Sequence, residues 1–515
     1  MCACLYNYDH YTVREGSPVL SGQFSPNALL ISKLSTNDGD SVILTLGKRL
    51  LQPRRCLCLG ATSVVAFLVL SRVPRADSPS DRALHTSAVH HHREQPPRPA
   101  DSQPQADTRK PVMSKPELSM KLKQAKEEAL WGMFVADAIA MPVHWYYNAG
   151  DIKRGYGGWL TKYEAPNKKH PSSIMSLSNI GGSGRGGDKV KAVIGDVILH
   201  GKLKYWSGNN HSTHYHQGMN AGDNTLNALM ALEMMKTFER VDHDVVREDR
   251  DVRSEVLEAY VKFMTTPGSH GDTYAESFHR SFFKDWSSLS SPPETADDLI
   301  EYTEQRYKQK TKGSPDSQLV VIGALVPTIP WVLRSAHKTE TECAKSAVDF
   351  IKLTHPVTAL VPYVDMYARL LHAVLNGHDL KAEAVKLLSH SELGGPSKRD
   401  LVLKMLEQAH GSPKGSEERL RAYQSAVSNL GLACYIEGAI SSLLYLAVEF
   451  SDDFEGGVLA NANVGGENCH RGAALGALLG AAAAAQGKTI AQKWKDGLGT
   501  AQKGLKTVVS QMNKD

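Results

Sequence analysis

Apolar positions recur at helical spacing through most of the chain after residue 113. Between residues 118 and 141 they return every three or four positions, which is the period of an amphipathic helix; they include Leu118, Leu122, Ala125, Leu130, Phe134 and Ala138. The same pattern predicts helices over residues 225–238, 342–353, 357–376, 380–389, 398–409 and 416–449, the last interrupted at Gly431 or Gly438. Strand-like alternation is nearly absent. The pattern therefore predicts an all-α domain over residues 114–515.

A stretch of small residues at 472–486 carries a different signal. Gly472, Gly476 and Gly480 recur every four residues and would share one face of a helix. Because each glycine inside a helix costs about 1 kcal/mol relative to alanine, three on one face predict a very close approach by another segment. The run is too short and too alanine-rich for a membrane dimerisation helix. A buried central helix is the better interpretation.

Residues 1–113 differ from the rest and are predicted to be a disordered extension. The apolar run at residues 57–70 is shorter than the roughly 20 residues that span a bilayer. It also begins too far from Met1 for an ordinary signal peptide. The following stretch, residues 71–110, is rich in Pro, Ser, Arg and His and has too few apolar residues to fold.

Three origins of this extension remain open. Residues 82–87 resemble the processing sites of mitochondrial presequences, the apolar run could be a membrane anchor, and the start could be assigned too far upstream. The last follows from the absence of methionine between Met1 and Met113. A start at Met113 predicts a cytoplasmic protein, and the longer chain predicts a mitochondrial one.

The amino-acid composition excludes several classes of protein. With 41% apolar and 22% charged residues, the 515-residue chain has ordinary globular usage, which excludes a wholly disordered, collagen-like or multi-span membrane protein. The net charge of +4 is too small for nucleic acid to be the main partner, and a membrane partner is not expected. Seven cysteines without a repeated spacing indicate reduced thiols rather than a disulfide framework.

The densest chemistry lies in residues 465–470, Gly-Gly-Glu-Asn-Cys-His, directly before the glycine helix. A carboxylate, an amide, a thiol and an imidazole follow a glycine turn whose backbone N–H groups could bind an anion. The alternative is a helix cap, with Asn468 capping and Glu467 favoured by the helix dipole. Spacing alone does not separate the two interpretations.

Four weaker segments accompany it. Residues 222–225, Gly-Asp-Asn-Thr, open a predicted helix, and His211, His214 and His216 upstream are expected to be solvated rather than ligands. Asp137 lies near the end of the first helix, which Pro142 should stop, and His144 follows with three aromatics that are expected to fill the core. The glycine loop at 181–187 is interpreted as a linker, and Thr354-His355 lies between two helices.

Together and in this order, these segments resemble the ADP-ribosylglycohydrolase family over about residues 123–487. That family also includes dinitrogenase-reductase-activating glycohydrolases and certain invertebrate lens crystallins. Its opening block is similar to residues 137–143, with His144 where Glu is usual, and its metal-binding Thr-Asp-Asp-Thr block is similar to residues 222–225. Its segment near the ADP-ribose resembles Thr354-His355, and its closing Gly-Gly-Asp-Thr-Asp-Thr block resembles residues 465–470.

The resemblance implies a compact multi-helix domain with two magnesium or manganese ions, but the replacements change the expected metal. Carboxylates give way to nitrogen and sulfur groups, which suit one zinc or iron ion. The metal ligands implied are Asp223, Asn224, Glu467, Cys469 and His470, with His144 and either His214 or His216 as further candidates for the zinc or iron ion. Asp223 and Glu467 are the expected catalytic carboxylates, and the expected substrate-binding residues are His144, His355, Gly465 and Gly466.

The resemblance thus predicts a metal-assisted hydrolase of a glycosidic bond in an ADP-ribose-like or other ribosyl substrate, either a small molecule or an ADP-ribosylated one. The alternative is a catalytically lapsed nucleotide-binding or crystallin-like structural protein of the same fold. A third interpretation is a glycosidase that uses two carboxylates without metal.

Overall fold

A computed structural model describes residues 115–512, except residue 179 and residues 183–191, 207–211 and 243–247, together with two strands near the amino terminus. The strands Ile31–Ser35 and Ser41–Thr45 pair antiparallel, with Ile31 opposite Thr45. They fall inside the extension predicted to be disordered. The apolar run at 57–70, the presequence-like segment and most of the glycine loop at 181–187 lie outside the described residues, so the disorder of the extension stays a prediction.

The described part of residues 115–512 is helical, which confirms the all-α prediction. Its α-helices are α1 Lys115–Ala140, α2 Gly150–Tyr156, α3 Leu203–Trp206, α4 Leu226–Val241, α5 Asp249–Thr265, α6 Ser277–Ser287, α7 Ala296–Lys310, α8 Leu325–Ser335, α9 Glu340–Thr354, α10 Val361–Leu375, α11 Leu380–Leu387, α12 Pro396–His410, α13 Glu417–Leu430, α14 Ile436–Glu449, α15 Phe454–Val464, α16 Asn468–Ala485, α17 Gln492–Asp496 and α18 Ala501–Met512. Short 3₁₀ turns include Met141–Val143 and Ile322–Ala324, and Val193–Val197 forms a π turn.

The helices predicted from periodicity are present with ends displaced by a few residues, and the long segment 416–449 is interrupted after Leu430, as α13 and α14. The periodicity did not predict α2, α3, α5 to α8, α15, α17 or α18. Helix α8 is apolar around nearly its whole circumference and contains Pro330, so it has no polar face to mark a period. Helix α1 ends at Ala140, before Pro142, as predicted.

The core is built around α16, whose residues are buried from Asn468 to Ala484. Helix α1 runs along it, and α8, α10, α14 and α15 also pack against it. A Cβ at Gly476 would lie 2.1 Å from the carbonyl oxygen of Gly132, and one at Gly480 would lie 2.1 Å from that of Glu128. Both the central burial and the close approach predicted for this helix are therefore confirmed.

The carboxyl-terminal segment returns to the helical domain at two points. Lys495 forms a buried ion pair with Glu128 of α1 at 2.6 Å, and the Gly499 N–H donates to the Gly222 carbonyl at 2.8 Å. The second contact fastens this segment to the loop before α4. Among the described residues, no helix combines the length and apolar character needed to cross a bilayer.

Candidate metal centre

Three segments that are far apart in sequence bring polar side chains to the amino end of α16. His144 follows the turn after α1, His216 lies in the loop before α4, and Glu467, Cys469 and His470 belong to the start of α16. None of these five side chains is more than 2% exposed. Because α1 and α16 approach to backbone contact, the end of the first helix and the start of the second meet at this point.

Glu467 is the centre of the first of two groups that could hold a metal ion. Its Oε1 lies 3.0 Å from Nε2 of His144 and 2.9 Å from Nδ1 of His470. The contact with His470 is close but not aligned as a hydrogen bond, so both Nδ1 of His470 and Oε2 of Glu467 lack a hydrogen-bond partner. A buried carboxylate oxygen and a buried ring nitrogen without partners are costly, and both are atoms that could bind a metal ion.

His144 also belongs to the second group, which it forms with His216 and Cys469. Its Nδ1 lies 2.8 Å from Nε2 of His216. In each group, one ligand atom from every residue lies within 4.8 Å of the others. Because the two groups share His144, they place nitrogen, oxygen and sulfur ligand atoms close to the ring of that histidine.

The pKa values of the three side chains in the first group differ because burial and the charges of neighbouring side chains act in opposite directions. Burial lowers the pKa of His144 to about 4, although Glu467 opposes the shift. Burial would also lower the pKa of His470, but the negative charges of Glu467 and Glu276 raise it to about 10. Despite its own burial, Glu467 has a pKa well below its ordinary value because His144 and His470 stabilise the carboxylate. The group therefore holds a carboxylate beside two imidazoles, and an ion bound by His470 would displace a proton from that ring.

The structure adds two carboxylates that the sequence did not single out. Asp272 Oδ1 lies 2.7 Å from Nδ1 of His216, and Glu276 Oε1 lies 3.8 Å from Nδ1 of His470. Both precede α6, and both are buried. The sequence could have indicated these two carboxylates, because the segment Gly-Asp-Thr-Tyr-Ala-Glu at 271–276 places both just before a helix.

Asp223 is placed away from both groups. Its Oδ2 accepts from the Asn220 N–H at 2.9 Å, and its Oδ1 accepts from the Thr500 N–H at 3.2 Å. The carboxylate thus joins the loop before α4 to the carboxyl-terminal segment. Asn224 lies closer to α1, where its Nδ2 donates to Oδ2 of Asp137 at 2.9 Å, and its Oδ1 is buried without a partner.

Gly465, Gly466 and His355 all make close contacts within the folded protein. Gly465 and Gly466 have φ of +75° and +68°, and a Cβ on either would lie within 2.3 Å of a carbonyl oxygen. Their N–H groups donate to Ala462 and Tyr146, so neither is open to an anion. His355 stacks on Phe278 with ring centroids 4.2 Å apart, and it belongs to neither metal-capable group.

Three expectations about local structure are corrected. The histidines at 214 and 216 were expected to be solvated, but both are buried. His214 bonds to the Pro142 carbonyl and to the His216 N–H, so it supports the site. The cap of α16 is Glu467 rather than Asn468. The aromatics after His144 fill the core only in part, because Tyr147 is exposed.

The donor set fits a transition metal better than magnesium. Imidazole, thiolate and carboxylate are ligands of zinc and iron, whereas magnesium needs an octahedron of oxygen atoms. The unpartnered Oε2 of Glu467 and Nδ1 of His470 are where an ion would supply the missing contacts. The described residues could therefore bind a metal.

Comparison with known proteins identifies the fold family. A solved structure described as an ADP-ribosylglycohydrolase-related protein complex is 14% identical, with a TM-score of 0.40, and the match covers 77% of this chain and 99% of that one. No curated protein matches. The ADP-ribosylglycohydrolase family model matches residues 119–514, nearly the whole helical domain. The chain belongs to the ADP-ribosylglycohydrolase family.

Proposed function

We propose that this protein is a metal-assisted hydrolase that cleaves a glycosidic bond in an ADP-ribose-like or other ribosyl substrate. The observation that carries the proposal is the group of His144, Glu467 and His470 at the start of α16, in a chain of a hydrolase family. Two of its donor atoms are buried without partners. A divalent ion held there would supply Lewis-acid assistance to the cleavage.

The side chains of the protein have separate roles in the rest of the hydrolysis. His470 and His144 hold Glu467 as a carboxylate, and its Oε2, which has no protein partner, is the atom that would contact an ion able to activate the attacking water. The water oxygen bonds to the anomeric carbon as the water loses a proton, the glycosidic bond breaks, and the leaving group takes up that proton. The catalytic role of Asp223 and the substrate contacts of His144, His355, Gly465 and Gly466 remain predictions.

A catalytically lapsed binding or structural protein is the second candidate, and burial favours it. His144, Glu467 and Cys469 are all 0% exposed. A hydrolase must open this region to admit a ribose, whereas a protein without catalysis need not. Calorimetry with ADP-ribose and a hydrolysis assay on an ADP-ribosylated substrate, both with the metal-loaded protein, separate the two, since binding without hydrolysis supports the lapsed protein.

Elemental mass spectrometry of the full chain, purified without a histidine tag, tests the metal. We expect about one zinc or iron per chain, since the two groups share His144. Glu467→Gln should abolish binding if the first group holds the ion, and Cys469→Ser should abolish it if the second does. Glu449→Gln is the matched control, because Glu449 also contacts a histidine, His410, at 2.7 Å but lies outside both groups.

The outcomes are distinct. Stoichiometric metal in wild type and in Glu449→Gln, with loss in either cluster variant, supports the proposal. Absence of metal after incubation with magnesium, manganese, iron and zinc ends the metallohydrolase proposal and leaves the structural candidate. Metal bound equally by all four proteins would show that it binds somewhere else.

A further inference from the structure

Asp272 makes a contact that neither the sequence motifs nor the family resemblance assigns to any role. Its Oδ1 lies 2.7 Å from Nδ1 of His216, and the Nε2 of the same ring lies 2.8 Å from Nδ1 of His144. We infer that Asp272 is a positioning residue that holds His216 with Nε2 directed into the metal-capable group of His144, His216 and Cys469. This inference rests on the proposed metal centre.

The carboxylate of Asp272 is itself firmly held. Its Oδ2 accepts from the Leu226 N–H at the first residue of α4, at 2.7 Å. Its Oδ1 also accepts from the Tyr274 N–H at 3.1 Å. Burial would raise the pKa of Asp272, but His216 and these N–H groups lower it below its ordinary value. The carboxylate is therefore held in place by His216 and two backbone N–H groups, and it is 1% exposed.

A fixed carboxylate at Nδ1 determines what the far side of the ring can do. Nδ1 of His216 must carry a proton to donate to Asp272, so in the neutral ring Nε2 carries a lone pair. Carboxylates that orient ligating histidines in this way also increase their basicity, and their loss typically lowers metal affinity about 10- to 100-fold. Asp272 would thus set both the tautomer and the direction of His216.

A purely structural role is the competing explanation, because Asp272 also supports the start of α4. The chain offers a matched comparison in Asp137. It is equally buried and accepts from the Thr225 N–H at 2.8 Å, one residue before the N–H that Asp272 accepts. Asp137 is in neither metal-capable group and forms no hydrogen bond to a histidine among the described residues, although its charge acts on His470 and it accepts from Asn224. Asp137→Asn therefore removes the same kind of helix support without touching His216.

The first experiment titrates metal-free full-length protein with Co²⁺ and follows the cobalt absorption spectrum. Asp272→Asn should weaken Co²⁺ binding about 10- to 100-fold relative to wild type, whereas Asp137→Asn, which leaves the contact between Asp272 and His216 in place, should lose clearly less affinity even if it unfolds at a lower temperature. Equal affinity in wild type and Asp272→Asn, or an equal loss in both variants, would overturn the positioning role.

The second experiment needs no metal. In ¹⁵N-histidine-labelled protein, with the His216 signals identified by their absence from His216→Gln, wild type should show a protonated Nδ1. Asp272→Asn should shift the proton to Nε2, and Asp137→Asn should not. An unchanged His216 tautomer in Asp272→Asn contradicts the inference.

The two readouts separate the inference from the function on which it rests. If wild type binds no Co²⁺, the proposed metal centre fails, and the tautomer experiment alone decides whether Asp272 positions His216. If wild type binds Co²⁺ and Asp272→Asn binds it equally well, the metal centre stands and the inference fails.

Discussion

The close contact between α1 and α16 positions the two helix ends that carry the candidate site, and a single substitution can test it. Gly476→Ala would place a Cβ 2.1 Å from the carbonyl oxygen of Gly132 and 2.7 Å from the Cβ of Ala136. Ordinary contacts between carbon atoms are about 3.5–4.0 Å. Since rigid helix backbone lies on both sides, the two helices must separate by roughly 1 Å to remove the overlap.

Two effects of opposite sign determine the result. Alanine is favoured over glycine inside a helix by about 1 kcal/mol. Overpacking of a well-packed core costs typically about 1–3 kcal/mol and sometimes more. Because the nearest atom belongs to backbone and cannot turn aside, we expect the upper part of that range and a net loss of about 1–2 kcal/mol. The separation should also weaken metal binding, since Glu467 begins α16 and His144 follows α1.

Thermal unfolding followed by circular dichroism measures the first effect, and Co²⁺ titration measures the second. Gly155→Ala is the control: Gly155 lies in α2, is exposed, and has only the Asn167 side chain within 4 Å of an added Cβ. It should leave stability unchanged or raise it by up to about 1 kcal/mol. If Gly476→Ala were as stable as Gly155→Ala, the helices would not be in backbone contact and the explanation of the glycine face would be refuted.

Three further predictions concern other parts of the domain. Lys495→Met should cost about 3–5 kcal/mol, because it leaves the buried Glu128 without its cation; a thermal midpoint near that of wild type would contradict this. Burial alone would raise the pKa of Asp249, but hydrogen bonds from a serine, an arginine and a lysine lower its folded-state pKa to about 2. The ionised carboxylate therefore stabilises the fold above about pH 4, and this stabilisation is lost as the pH falls towards 2. Urea unfolding of Asp249→Asn should therefore show a deficit on the order of 1–2 kcal/mol at pH 7 that shrinks below pH 4, and a deficit that is constant with pH would be inconsistent with that origin. Cys469 is fully buried, and burial raises its pKa well above the ordinary value, so iodoacetamide should leave it unmodified in the native, metal-free protein; rapid labelling, detected by peptide mass spectrometry, would show that the centre opens to solvent.

The all-α class and half of the α-helices could be predicted from the sequence alone. Periodicity depends on each segment having one face to the core, so it found α1, α4 and α9 to α14 but not α8, which is apolar on nearly every side. The glycines of α16 were equally informative, because repeated glycine on one helix face has few explanations other than close packing. The motif at residues 465–470 marked the site, since it gathers four kinds of reactive group at one helix start.

The composition of the site was decided by tertiary structure. Asp223 seemed equivalent to Glu467 in sequence, because each is a carboxylate at the start of a helix. The return of the carboxyl-terminal segment gives Asp223 a partner in Thr500, 277 residues away. Conversely, Asp272 reaches His216 across 56 residues, through loops with no periodic pattern. Sequence determines local conformation through short-range sterics and amphipathicity, whereas the pairing of buried charges depends on which loops the packed helices bring together.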